Sequence, residues 1–322
     1  MINPIPVFVQ VILPLALVWG VGYLGRRVLK MDPRPFSRAG LYFLAPTVIF
    51  TSLMESQITA GESGRIILVV VLLAAGVGLI AWLQAWLLRF SPEDKCAFLL
   101  VSIFINTVNY GFPATLLALG QDGLDRAAVF AVGHAFLANT AGAYIAAWGR
   151  AGGIRQTLRK VLRIPMLYAV VLALILRWAG VSFESPFVVA GVEIPLLPSI
   201  YQAVKLLAQA AIPVFMLVLG MQLGSGADGG MAGRGRFGWR LLLAGVNRLL
   251  VSPLLAWGLI RLVGLAGTAA RATILEAAMP SAVITVILAT EFDARPRFVT
   301  AAVAGTTLAS MITLTLLLSM WG

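Results

Sequence analysis

The chain has 322 residues, 60% of them hydrophobic and only 11% charged, with a formal net charge of +11 and a mean hydropathy of +0.95. Soluble domains carry about a quarter of their residues as charges, so this composition excludes them and indicates an integral membrane protein. The surplus cations fall in short loops rather than along one soluble face, which argues against nucleic acid as a partner, and one cysteine, Cys96, excludes an intramolecular disulfide or a cysteine metal cluster.

Ten apolar segments follow in order, at 5–24, 39–54, 66–88, 96–119, 126–148, 164–179, 200–223, 239–263, 268–289 and 298–321. Each reads as a transmembrane helix through a hydrocarbon core about 30 Å thick, the second and sixth being the shortest. No cation precedes the first segment, so it lacks the basic start of a cleaved signal peptide and is expected to be retained. The loops are too short for a soluble domain of any size.

Alternate loops differ sharply in charge. One set is dense in Lys and Arg, above all at 26–38 and 150–163, whereas the other holds only Arg65, Arg126, Arg177, Arg261 and Arg271. The positive-inside rule makes the cation-rich side cytoplasmic and places both termini on the non-cytoplasmic side of the cell (cytoplasmic or inner) membrane. Lys205 and Arg248 fall within segments.

Prolines reveal an internal register. Pro46 and Pro113 are 67 apart (113 − 46), as are Pro213 and Pro280 (280 − 213), and the pairs are offset by 167. The expectation is an all-α protein of two inverted five-helix repeats, 1–148 and 164–322, joined by a basic cytoplasmic linker at 149–163. The offset aligns Pro113 with Pro280 and Asn109 with Glu276.

The fourth segment contains Asn106-Thr-Val-Asn109-Tyr-Gly111-Phe-Pro113, and the ninth contains Glu276-Ala-Ala-Met-Pro280-Ser281. Proline removes a backbone donor and clashes with the preceding turn, so helices 4 and 9 are expected to break at Pro113 and Pro280 and to cross near the membrane midplane. Each half-helix that starts after a break presents free N–H groups and the positive end of its dipole, which suits an anion. Asn106 and Asn109, three apart, are expected to share a face and to bind it with Gly111, Pro113, Glu276, Pro280 and Ser281.

Other residues have a structural reading beside a functional one. Glu276 lies deep in its segment and reads either as a proton-coupling group or as the buried partner of Arg248. Arg248 either snorkels to the surface or acts as an interior cation pairing Glu276 or substrate, while Lys205 reads as snorkelling. His134 reads as a proton carrier or as a hydrogen-bonded packing residue. Pro46 and Pro213 alone read as kinks, and the hydroxyls of Thr306, Thr307, Ser310 and Thr313 as bonds to their own helix. Gly76, Gly78 and Gly142 read as points of close helix contact.

The pattern Asn106-x-x-Asn109-x-Gly111-x-Pro113, the run Ala278-Met279-Pro280 followed by an apolar stretch to Ala289-Thr-Glu291-Phe292, and Pro46 together resemble the auxin efflux carrier family in its bacterial form. The resemblance covers essentially the whole chain. It implies a scaffold domain of helices 1, 2, 6 and 7, a likeness to homodimers assembled through that scaffold, and a transport domain of helices 3–5 and 8–10. It also implies substrate contact at Asn109, Pro113 and the Pro280 region, and a small organic anion such as malonate, malate or an auxin-like acid as substrate. The short linker and Glu276 depart from the plant carriers.

An intramembrane enzyme lacks support: there is no His-Glu-x-x-His or Gly-x-Ser-x-Gly, and one histidine builds no His-rich metal site. A channel fits inverted halves less well than alternating access. The alternative within transport is a sodium-coupled symporter of the bile-acid type, with Glu276, Asn106 and Asn109 as candidate ion ligands. No cofactor is expected, and coupling to H+ or Na+ stays open.

Overall fold

The computed structural model describes residues 4–148, 164–181, 183, 187–189, 192–226 and 234–321, so the expected linker at 149–163 lies outside the described residues. Among the described residues the regular structure is helical apart from one antiparallel hairpin, β1 Phe187–Val189 with β2 Val192–Ile194. Eleven helices are described: α1 Pro4–Arg27, α2 over 33–55, α3 Ala60–Leu87, α4 Pro92–Ile103, α5 Thr107–Ala146, α6 Pro165–Trp178, α7 Leu196–Gly226, α8 over 234–263, α9 Gly267–Ala277, α10 Ile284–Glu291 and α11 Pro296–Ser319. Six of them, α1, α3, α5, α7, α8 and α11, are long and apolar enough to cross a membrane.

Local chemistry sets the helix starts. Pro33, Pro92, Pro165 and Pro296 stand in first turns, where the missing N–H is one the helix cannot use anyway. Asp32, Thr59 and Ser91 cap their helices by accepting from the N–H groups of Arg34, Glu62 and Asp94 at 3.0, 3.1 and 3.2 Å. Within α5, Gly120 adopts φ +69°, ψ −165°, which bends the chain sharply between 107–119 and 121–146.

α1 packs most intimately on α7. Gly22 sits against the Leu217 carbonyl and Gly220 against the Trp19 carbonyl, so the two backbones touch and a methyl at either position would overlap main chain. Small residues are what allow this approach where no aqueous hydrophobic effect drives helices together. The outer face is strongly apolar, with Trp178 90% and Leu262 79% exposed, as lipid contact requires.

Two chain breaks organise the interior. α4 ends at Ile103, Phe104 is extended (φ −90°, ψ 130°), Asn106 is non-helical (φ −82°, ψ 69°), and α5 opens with a π-helical stretch at Thr107–Gly111. α9 ends at Ala277, and α10 resumes at Ile284. The two interruptions meet. Ile105 and Ser281 form an antiparallel bridge, Asn106 N–H donates to Pro280 O at 2.9 Å, and Ala282 N–H donates to Phe104 O at 2.9 Å.

This corrects the expected break at Pro113. That proline is the second residue of the α-helix Phe112–Leu137, past the interruption, where proline is readily accommodated. The break near Pro280 is where the sequence placed it. The alignment of Pro113 with Pro280 and Asn109 with Glu276 is not the pairing at the crossing, which instead joins Ile105 to Ser281.

Candidate functional site

Unwound backbone inside a membrane protein must find partners for its polar groups. At the crossing the two strands satisfy part of that need mutually, and side chains from neighbouring helices supply the rest. His134, on the second half of α5, accepts the Ile105 N–H on Nε2 at 2.9 Å, its ring packed between Phe104 and Phe130. Thr306, on α11, accepts the Ser281 N–H on Oγ1 at 3.2 Å, and Ser281 Oγ donates to Val101 O at 2.6 Å.

The carbonyl ends of α4 and α9 converge on one cation. Arg248 has no solvent exposure; its Nη1 donates to Ser102 O and Ile103 O, both at 3.0 Å, and its Nη2 donates to Ala277 O at 2.6 Å and to Ser252 Oγ. Ser252 Oγ also donates to Ala277 O at 2.8 Å. Arg248 is therefore an interior residue and does not snorkel. It also makes no ion pair with Glu276, which corrects that expectation: the guanidinium is occupied by main-chain carbonyls at helix C-termini, where the backbone dipole is negative.

Glu276, likewise without exposure, turns to the other side of the crossing. Its Oε1 accepts from Thr115 Oγ1 at 3.3 Å, and its carboxyl lies so close to Gly111 that a Cβ there would fall 2.5 Å from Oε1 and 2.7 Å from Cδ. Only a glycine admits the carboxyl at this depth. Glu276 Oε2 and the Asn106 side-chain amide nitrogen are buried without a hydrogen-bond partner.

Of the site residues expected from sequence, the structure brings Asn106, Pro280 and Ser281 together through backbone pairing, and Gly111 together with Glu276. Asn106 precedes the helix, so it and Asn109 do not share a helical face; Asn109 is half-buried in the π-helical turn. Pro113 lies one turn farther along. The first ladder bond of α5 runs from Gly111 N–H to Asn106 O at 3.0 Å, so the N–H groups of Val108, Asn109 and Tyr110 precede it; in α10 the N–H groups of Val283 and Ile284 hold the equivalent place. Two positive helix ends thus flank the crossing, with Glu276 the acidic residue beside them among the described residues.

Several contributors were missed from sequence. Thr115 and Ser252 gave only the faint signal of single hydroxyls in apolar helices. Tyr110 receives a hydrogen bond from Ser310 Oγ at 3.1 Å and meets Trp19 edge-on at 4.7 Å, tying the π-helical turn to α11 and α1. Gln84 and Asn247 exchange two amide hydrogen bonds, at 3.1 and 2.6 Å, between α3 and α8; a glutamine in so apolar a helix was a legible signal. Lys205 pairs with Glu55 at 2.6 Å and lies over the Tyr201 ring. Among the described residues no group of three or more His, Cys, Asp or Glu is placed to hold a metal ion.

A cavity of about 200 Å³ touches the start of α10 at its N-cap Val283 and at Val286 and is walled by α7 and α11 through Leu219, Gln222 and Val303. A larger apolar one of about 630 Å³ reaches Thr306 from the side of Tyr23, Leu223 and Leu241. Both share Leu223 and Ala304.

Residues 7–318 match the family model described as membrane transport protein. An uncharacterized transporter of Methanocaldococcus jannaschii is 26% identical over 97% of this chain and 97% of its own length. A second uncharacterized transporter, from Methanothermobacter thermautotrophicus, is 27% identical over 92% of this chain and 90% of its own. The chain belongs to the membrane transport protein family, that of the auxin efflux carriers, and is an integral membrane transporter rather than an enzyme.

Proposed function

We propose that the chain is a secondary transporter of a small organic carboxylate, which it binds at the crossing and moves by alternating access. The observation that carries this reading is the electrical asymmetry of the crossing. Arg248 neutralises the two helix C-termini, whereas the two N-termini, at Val108–Tyr110 and Val283–Ile284, keep their free N–H groups. Each such end is worth about +0.5 charge, so together they suit one carboxylate. Asn106, with an unpartnered buried amide, and Asn109 supply further donors beside them.

Inverted repeats are supported, from α3 onward in the first half and α8 onward in the second, by the register of the bridge, a displacement of 176 (281 − 105). That displacement carries α3 onto α8, α4 onto α9, the start of α5 onto α10 and its remainder onto α11, the helix starts agreeing to within about two residues and the ends to within about four. The mutual bonds of Asn106 to Pro280 and Ala282 to Phe104 exchange under the same operation, as a pseudo-two-fold axis requires. On this reading ten spans form a scaffold (α1, α2, α6, α7) and a transport domain (α3–α5, α8–α11). The cavity between α7 and α10–α11 is the route to the cation-rich, cytoplasmic side, and the scaffold is the surface for homodimer contact.

Glu276 is the coupling group in this scheme. A bound anion and a proton on a neighbouring enclosed carboxyl favour one another electrostatically, which makes the carrier a proton–anion symporter for uptake. The test is flux into proteoliposomes across a panel of mono- and dicarboxylates, with and without a proton gradient. At least one carboxylate should be carried, faster with an inward proton gradient, and Glu276→Gln should remove that acceleration. Wild-type flux in both Asn106→Ala and Glu276→Gln refutes the site.

A further inference from the structure

The place that Arg248 fills has the chemistry of a cation site. Three main-chain carbonyls, of Ser102, Ile103 and Ala277, and the Ser252 hydroxyl converge on it from three helices. Oxygen donors of this kind, at the C-terminal ends of half-helices, are what hold a coupling sodium ion where broken helices cross. The charge also balances: two helix C-termini contribute about −0.5 each, and the guanidinium contributes one positive charge. A planar fork with several fixed donors can serve carbonyls on two helices at once, which a lysine ammonium on a flexible stem does less well.

We propose that Arg248 is a tethered substitute for a coupling cation, so that the crossing is closed electrically by a side chain and works with no sodium or other monovalent metal ion bound there. Arg248 is then a positioning residue: it locks the carbonyl ends of α4 and α9 and leaves the N-terminal ends to substrate. The inference rests on the reading of the crossing as the transport site, and it makes the sodium-symporter alternative unnecessary. Neither Asn106 nor Glu276 hydrogen-bonds to Arg248, and Glu276 Oε1 accepts from Thr115 instead.

The test uses the purified full chain and needs no substrate. Melting temperature is measured at constant ionic strength in sodium, lithium, potassium and choline chloride, together with binding of radioactive sodium. The wild type should melt alike in all four salts and bind no sodium. Arg248→Ala vacates the site and should acquire cation dependence, with sodium, or guanidinium below denaturing concentration, raising its melting temperature by about 5 °C over choline. Arg248→Lys keeps the charge and should stay indifferent to the salt. Sodium-dependent melting of the wild type overturns the proposal, as does a folded Arg248→Ala that no cation stabilises. If Arg248→Ala does not fold, sodium dependence in Arg248→Lys overturns it instead. A carrier that melts alike in every salt but moves no carboxylate would refute the proposed function and leave this inference standing.

Discussion

The two breaks at the crossing reach the same geometry by different means. The break after α9 contains Pro280, which cannot continue the helix. The break after α4 spans Phe104 to Asn106 and has no proline at all. What they share is a side-chain acceptor for the central N–H: His134, from the second half of α5, for Ile105 and Thr306, from α11, for Ser281. A helix breaks inside the membrane where other elements are ready to receive its backbone, and proline is one way of marking the place rather than its cause.

That comparison can be broken experimentally, most sharply at His134. His134→Ala removes the acceptor for Ile105 and a ring packed on Phe104 and Phe130, and should cost about 2–4 kcal/mol in denaturation measurements. Thr306→Val leaves Ser281 N–H unpaired and should cost about 1–3 kcal/mol by the same measurement. Pro280→Ala should cost about 1 kcal/mol or less, because the bridge and the side-chain partners hold the break without it; a loss larger than that of His134→Ala would reverse the argument. Asn247→Leu, which removes the paired amides at Gln84 away from the crossing, should cost about 0.6 kcal/mol, the usual worth of a side-chain hydrogen bond in a membrane. Pro113→Ala, at the start of a helix, should fall below about 0.5 kcal/mol.

The helical membrane class was legible because composition and long apolar runs are local properties. The ninth segment's break was legible too, since Pro280 is a covalent signal. The fourth segment's break was misplaced by eight residues, from 105 to 113, because nothing in Phe104-Ile105-Asn106 forbids a helix; the cause lies in Pro280, Ala282 and His134, remote in sequence. The same holds for Arg248. Its depth was visible, but its partners are carbonyls, and every residue has one, so sequence pointed to the carboxylate deep in the next segment, Glu276. The closeness of Gly111 to Glu276 was likewise hidden, since it depends on how α9 packs beside α5.

The most direct test of the account is where the anion sits. Cys96 is the chain's single cysteine, so Cys96→Ala gives a background in which Asn109→Cys places one thiol in the half-buried turn that opens α5. Its rate of labelling by a small thiol reagent is measured with and without a carboxylate that the protein transports. The account expects the transported carboxylate to slow labelling by about tenfold when present at about ten times its dissociation constant, while a carboxylate that is not transported leaves it unchanged. An unaltered rate at a saturating concentration of a transported anion would contradict it.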